Sequence, residues 1–141
     1  MSLIKSEVAA GRDNTKVPTC VGITSAPVRV EFAVNPAAND IVELETLEPG
    51  VLVADVRIIS GLGGTVEATL GELNAAGTDV AVVYEAGLSL AAGVTRGAGT
   101  GVGLTTANAK QSRVIGLKLT TVTTPDTVGK PLIVELGLIR Q

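Results

Sequence analysis

Two glutamates two positions apart, Glu43 and Glu45, are residues whose type and spacing could do chemistry. Paired carboxyl groups hydrolyse glycosidic bonds when they flank a sugar site. The stretch around them alternates between apolar and acidic residues, and alternate side chains of a strand share one face. Sugar sites are usually walled by aromatic rings, and the chain has one Phe, one Tyr and no Trp. The pair therefore predicts a solvated strand face rather than a catalytic dyad.

A glycine-rich stretch at 97–103 and the dipeptide Gly129-Lys130 are the features that could hold a phosphate. A dinucleotide fingerprint needs glycine at the first, third and sixth positions, and Val102 stands at the sixth position of this stretch. A P-loop needs Ser or Thr after its lysine, where this chain has Pro131. We therefore expect neither a nucleotide nor any other cofactor.

The side chains that most often serve as acid–base catalysts and metal ligands are nearly missing, because the chain has no His and a single Cys, Cys20. One thiol forms neither an internal disulfide nor a zinc site, and its apolar surroundings predict a small buried residue. Asp and Asn adjoin at 13–14 and at 39–40, but without the spacing of a calcium loop. We expect no bound metal, no catalytic residues and no enzymatic activity.

The charges divide the chain into three regions. Residues 1–30 carry a net charge of +2, residues 31–85 carry −9 and residues 86–141 carry +4, for a total of −3. This pattern fits either a scatter of surface charges or electrostatic complementarity between copies or with a partner. Nucleic acid is not an expected partner, because there is neither a basic cluster nor an aromatic stacking platform.

Hydropathy gives no sign of a membrane or of secretion. No uncharged stretch approaches the roughly 20 apolar residues that a membrane-spanning helix needs. Residues 1–7 lack the apolar segment of a signal peptide. We expect no membrane contact and synthesis in the cytoplasm of the producing cell.

Most of the chain has the period-two alternation of half-buried β-strands. Residues 1–16 show no such alternation, and we predict an extended N-terminal arm there, followed by a single β domain at 17–141. The Gly-rich residues 93–104 are predicted to be a long loop, with a flat strand as the alternative. The alternating or largely apolar runs lie at 28–34, 42–45, 51–59, 65–70, 80–85, 113–123 and 132–139.

Turn-forming residues separate these runs, including Pro49-Gly50 and the segments at 35–40, 61–64, 75–79 and 124–126. The spacing of roughly 8–15 residues between runs is typical of two packed sheets. The predicted fold class is all-β, either a β-sandwich or a jelly-roll-like antiparallel barrel. With almost no aromatic residues, its core has to be built from Val, Leu, Ile and Ala.

The segments NDIVEL at 39–44, LEPGV at 47–51 and VADVRI at 53–58 carry a resemblance to a known class. Together they resemble small head proteins of tailed bacteriophages, in which two strands are joined by a Pro-Gly turn. The Thr-, Gly-, Ala- and Val-rich remainder is similar in composition. The resemblance implies a decoration (cement) protein on the surface of a virion capsid, with a β-sandwich or jelly-roll fold and no catalytic residues.

The resemblance also implies the partners. These are the major capsid protein and further copies of this chain, with a homotrimer favoured. Within the arm, Lys5, Arg12 and Lys16 are the residues expected to contact the shell. The alternatives are another virion component, such as a head–tail connector, a tail protein or a head-fibre base, and a carbohydrate-binding module that would have to rely on Tyr84.

Overall fold

The structure is a computed structural model that describes residues 2–6, 23–97 and 111–140. These residues form nine β-strands and no helix, which confirms the predicted all-β class. The strands are β1 (Leu3–Lys5), β2 (Ile23–Val30), β3 (Ile41–Leu47), β4 (Val51–Ser60), β5 (Gly63–Leu73), β6 (Val80–Ser89), β7 (Gly93–Arg96), β8 (Arg113–Asp126) and β9 (Leu132–Arg140).

The strands form two sheets that pack face to face. One sheet has the order β1-β3-β8-β5-β6 and the other has the order β2-β9-β4-β7. Neighbouring strands are antiparallel except for β1, which runs parallel to β3. Both sheets are open, so the barrel alternative is wrong and two layered sheets describe the molecule. A jelly-roll assignment stays a prediction.

The core between the sheets is aliphatic, as the composition requires. The apolar side chains that alternation places on the inner face of most strands come from both sheets and form a single cluster. The two aromatic residues of the chain, Phe32 and Tyr84, also belong to it and are 3% and 5% exposed. The largest fully buried side chains are those of Ile41, Leu44, Leu47, Ile58, Leu62, Leu70, Leu90, Ile115, Leu117, Leu119, Leu132 and Leu136.

The Pro49-Gly50 turn lies where it was predicted, between β3 and β4. The Val51 N–H donates to the Glu48 carbonyl at 3.2 Å, and Gly50 has φ of 86°, which a residue without a Cβ adopts without steric cost.

Two predicted breaks are strands instead. Residues 124–126 belong to the end of β8, where Thr124 has φ of 44° and the pairing with β5 shifts register. This register shift does not end the pairing of β5 with β8, because Asp126 still pairs with Gly63. Within the predicted loop at 93–104, residues Gly93–Arg96 form β7, which supports the alternative of a strand for that part.

A β-bulge changes which side chains of β3 face the core. Val42 pairs with Leu117 and Glu43 with Gly116, but the next paired residue is Glu45, opposite Ile115. Leu44 is therefore the extra residue, and every side chain after it changes face. Gly116 allows the two strands to approach at this point, since a Cβ there would lie 2.7 Å from the Val42 carbonyl oxygen.

Candidate functional site

The N-terminal strand β1 covers the edge of β3, so this edge is the first candidate for an interaction surface. Leu3 pairs with Ile41, Ile4 with Val42 and Lys5 with Glu43. An exposed strand edge presents unpaired N–H and C=O groups that accept another strand. In this protein the chain's own first residues make that contact.

Residues on either side of β1 fasten it at both ends. At the start, the Ser2 N–H donates to the Asp40 carboxylate at 2.9 Å, and the Ile41 N–H donates to the Ser2 carbonyl at 2.9 Å. At the end, the Ser6 N–H donates to the Glu43 carbonyl at 2.7 Å, and the Ser6 hydroxyl donates to the Leu44 carbonyl. These contacts set the register of β1 on β3.

Asp40 connects this edge to the preceding loop. Its second carboxylate oxygen accepts the Ala37 N–H at 2.9 Å, while the first accepts the Ser2 N–H. The residue is only 6% exposed. A buried carboxylate with two backbone donors is a stable positioning element, because charge-assisted hydrogen bonds offset the cost of removing it from water. The sequence analysis placed 39–40 in a turn and did not predict this role for Asp40.

Of the three cationic residues predicted to contact a shell, the structure describes only Lys5. Lys5 lies in β1 with its side chain 49% exposed, and its amino group is 4.0 Å from the Glu43 carboxylate. An ion pair this long and this exposed contributes little to stability. Arg12 and Lys16 lie outside the described residues.

The prediction that Glu43 and Glu45 share one solvated strand face is wrong. Glu43 remains on the outer face, where it meets Lys5. Glu45 is 3% exposed, because the bulge at Leu44 turns it towards the core, opposite Ile115. Strict alternation would have kept the two carboxylates together.

Two more charged side chains lie on the same inner face. Glu72 of β5 is also paired with Ile115, from the other side of β8, and is 5% exposed. Arg113 precedes Ile115 by two residues on β8 and is 6% exposed. Since neighbouring strands lie about 4.8 Å apart, the Cα atoms of Glu45 and Glu72 are roughly 10 Å apart. We name these three residues, Glu45, Glu72 and Arg113, the polar end of the core.

The polar end is incompletely hydrogen-bonded. One Nη of Arg113 donates to the Val51 carbonyl, across to the other sheet. Among the described residues, no partner is found for Oε2 of Glu45, Oε2 of Glu72, or Nε and the other Nη of Arg113. Burial raises the pKa of Glu45 to about 7, because removal from water disfavours its charged form.

A cavity of about 320 Å³ lies beside the polar end. Glu72 and Arg113 line it together with the beginning of β6, at Ala81 and Val82, and the loop at Asn74. A carboxylate and a guanidinium in one cavity suit water or a small polar group better than a simple ion, because each charge repels what the other attracts. Within the parts of the chain that the structure describes, no group of three or more Asp, Glu, Cys or His residues could hold a metal ion.

Comparisons with known proteins bear on this architecture. No family model matches the chain, and no curated protein sequence matches it. A chain in the solved structure titled "Capsid of Ralstonia phage GP4" matches with a TM-score of 0.73 and 23% sequence identity. The match covers 99% of this chain and 98% of that one, so the two chains share one fold from end to end and have nearly equal lengths. The described residues form no helix, and therefore none that is long and apolar enough to cross a membrane.

Proposed function

We propose that this protein is a non-catalytic structural component of a phage virion that binds the outside of the capsid and stabilises it. The end-to-end fold match to a chain of a phage capsid, at nearly equal length, is the observation that carries the proposal. The resemblance of residues 39–58 to small phage head proteins supports it independently. In those proteins the corresponding segment forms two strands joined by a Pro-Gly turn, and here it forms β3, the Pro-Gly turn and most of β4.

The proposed partner is the major capsid protein, and the proposed contact is made by the N-terminal arm. Ser6 is hydrogen-bonded to β3, so the residues that follow it begin at the edge of the first sheet. Arg12 and Lys16 follow in this region of net positive charge, and the half-exposed Lys5 precedes them. Cationic side chains on an arm favour encounter with a negatively charged shell surface and fix the register of docking.

The aromatic residues weigh against the carbohydrate-binding alternative. Tyr84 was the aromatic side chain available as a sugar platform, and it is 5% exposed within the core cluster. Phe32, the other aromatic residue of the chain, is 3% exposed. A sugar-binding surface would therefore have to form without an aromatic ring, which removes the main apolar contact that such rings supply.

Binding to capsids of the phage that encodes the chain tests the proposal. Emptied capsids would be mixed with purified protein and sedimented, and the bound copies counted. The double variant Arg12→Glu, Lys16→Glu should bind about tenfold more weakly or worse. The matched control, Arg29→Glu with Lys130→Glu, changes the same amount of charge at exposed positions of the domain and should bind normally.

The number of copies separates the virion roles. Shell-wide stoichiometry supports decoration, whereas a small fixed number of copies per particle supports a connector, tail or head-fibre component instead. Absence of binding by the unmodified protein would contradict the proposal. Equal losses in the two double variants would contradict the role of the arm.

A further inference from the structure

Two residues of the polar end, Glu72 and Arg113, are buried, incompletely hydrogen-bonded and in the wall of a cavity. Arg113 is 6% exposed and Glu72 is 5% exposed. In the part of the chain that the structure describes, Nε and one Nη of Arg113 and Oε2 of Glu72 have no hydrogen-bond partner. A buried donor or acceptor without a partner destabilises the fold, so native proteins usually supply one. These atoms are therefore candidates for contacts with a molecule that is not part of the domain.

The two side chains lie close together but do not satisfy each other. Glu72 of β5 pairs with Ile115 of β8, and Arg113 precedes Ile115 by two residues on the same face. Diagonal neighbours of this kind lie roughly 7–8 Å apart, which two long side chains can span. Arg113 instead donates from its other Nη to the Val51 carbonyl of the second sheet. A group that bridges Glu72 and Arg113 would supply both with the missing hydrogen bonds.

The cavity has the size and the lining of a small-ligand site. Its volume of about 320 Å³ lies at the lower end of the range of ligand pockets, which is about 300–1,000 Å³. Leu73 and Val82 contribute apolar surface, while Glu72 and Arg113 are the charged side chains among the described residues that line it. Apolar walls with a few polar groups are typical of sites that bind and orient a small molecule.

Hydrogen bonds hold the loop at the rim of the cavity in place. The Asn74 N–H donates to the Asp79 carbonyl at 2.9 Å, and Oδ1 of Asn74 accepts the Thr78 N–H at 2.8 Å. Asn74 and the following residue, Ala75, both line the cavity. Because this part of the rim is already ordered, binding there requires little further loss of conformational freedom.

The pair of opposite charges selects the chemical class of the ligand. An anion would be attracted by Arg113 and repelled by Glu72, and a cation would meet the reverse. An amide avoids both repulsions, because its oxygen accepts a hydrogen bond from a guanidinium and its N–H donates one to a carboxylate. A zwitterion offers the same two contacts but brings two charges that must lose their water. The neutral amide is therefore the better fit.

We propose that this cavity binds a neutral amide of a peptide segment, with the amide oxygen at Arg113 and the amide N–H at Glu72. The unpartnered atoms are buried, so the ends of both side chains turn towards the cavity on binding, and these atoms have no hydrogen bond to give up. The inference concerns a site of the folded domain and does not depend on capsid binding.

Three small compounds of different charge test the selectivity of the site. N-acetylglycinamide is neutral, N-acetylglycine is an anion and glycinamide is a cation at about pH 6.5. Each is titrated into the folded protein, and its dissociation constant is taken from the NMR shifts of the backbone amides of Leu73 and Val82, which line the cavity. N-acetylglycinamide should bind saturably and about tenfold or more tightly than either charged compound, because each of those meets a like charge.

Variants of the two charged residues assign the selectivity to them. Glu72→Gln keeps the size of the side chain but removes the charge that repels anions, so N-acetylglycine should bind about tenfold more tightly than before. The double variant Glu72→Leu, Arg113→Met removes both polar groups and should weaken binding of N-acetylglycinamide about tenfold or more. The matched control is Arg57→Met with Glu135→Leu, which removes an arginine–glutamate pair 2.6 Å apart on the outer face of the other sheet and should leave binding unchanged.

Several results would overturn the proposal. If N-acetylglycinamide causes no saturable shift at Leu73 and Val82, the cavity holds water only. If a charged compound binds the unmodified protein as tightly as the neutral one, the two charges do not select the ligand. Equal weakening in the two double variants would place the binding elsewhere. Should the double variant in the core fail to fold, Glu72→Gln decides, because an unchanged affinity for N-acetylglycine also contradicts the proposal.

Discussion

The inner face of the five-stranded sheet has two regions built on the same strands with opposite chemistry. In the middle, Val42, Leu117 and Leu70 form a cross-strand row that is at most 1% exposed and wholly aliphatic. One paired row further on, Ile115 has Glu45 on one side and Glu72 on the other. Position on the core face therefore does not by itself determine that a side chain is apolar.

The two rows are stabilised in different ways. The aliphatic row gains free energy from every methylene group removed from water. The polar end loses the hydration of its charged groups, and much of that cost is recovered only where a partner is found, as between Arg113 and the Val51 carbonyl. We expect the middle of the sheet to dominate stability and the polar end to make that stability depend on pH.

The largest effect is expected in the aliphatic row. Leu117→Ala should lower the free energy of unfolding by about 2–5 kcal/mol, because it removes buried methyl groups and leaves a cavity. Urea unfolding followed by circular dichroism measures the change. Thr120→Ala, at an exposed position of the same strand, is the control and should differ little from the unmodified protein. A loss at Leu117 no larger than that at Thr120 would contradict the assignment of the row to the core.

A smaller, pH-dependent effect is expected at the polar end. The pKa of Glu45 is raised to about 7 in the folded protein from an ordinary value of 4.5, so the folded state holds a proton that the unfolded state releases. The contribution of Glu45 to the free energy of unfolding should then be largest below about pH 4.5. It should fall by on the order of 2–3 kcal/mol as the pH rises towards 7.

The variant Glu45→Gln cannot ionise and should remove most of this fall. Urea unfolding at about pH 5 and about pH 8 gives the comparison, with the variant more stable than the unmodified protein at the higher pH. Glu43→Gln, on the outer face of the same strand, is the control and should keep the pH dependence. If both variants keep it, the buried carboxylate is not its source.

The smallest effect is expected on the outer face of β8, where Lys118 lies 2.9 Å from Asp79. The hydrogen bond and charge of this lysine hold the pKa of Asp79 below its ordinary value. Because a lowered carboxyl pKa stabilises the folded state above the unfolded pKa, Lys118→Ala should raise the pKa of Asp79 and cost a little stability at neutral pH, but not in acid. Titration of Asp79 by NMR measures the shift. An unchanged pKa would show that the pair does not form in solution.

Two residues of the polar end, Glu72 and Arg113, could have been predicted from the sequence by extending the alternation of the neighbouring strands. Val66, Ala68 and Leu70 continue at the same spacing to Glu72. Counting back from Leu117 and Ile115 in the same way reaches Arg113. Extending each period by one more step would have placed both charges on the inner face, despite the expectation that charged residues stay outside.

Alternation and turn chemistry by themselves thus determined the all-β class, most strands and the aliphatic core, since both depend on residues close together in the chain. Only the tertiary structure decided the face of Glu45, because a bulge depends on how β3 meets β8 and leaves no mark in the residues of β3 alone. The same holds for β1. Three residues carry no periodicity, and their strand exists through hydrogen bonds to an edge almost forty positions away.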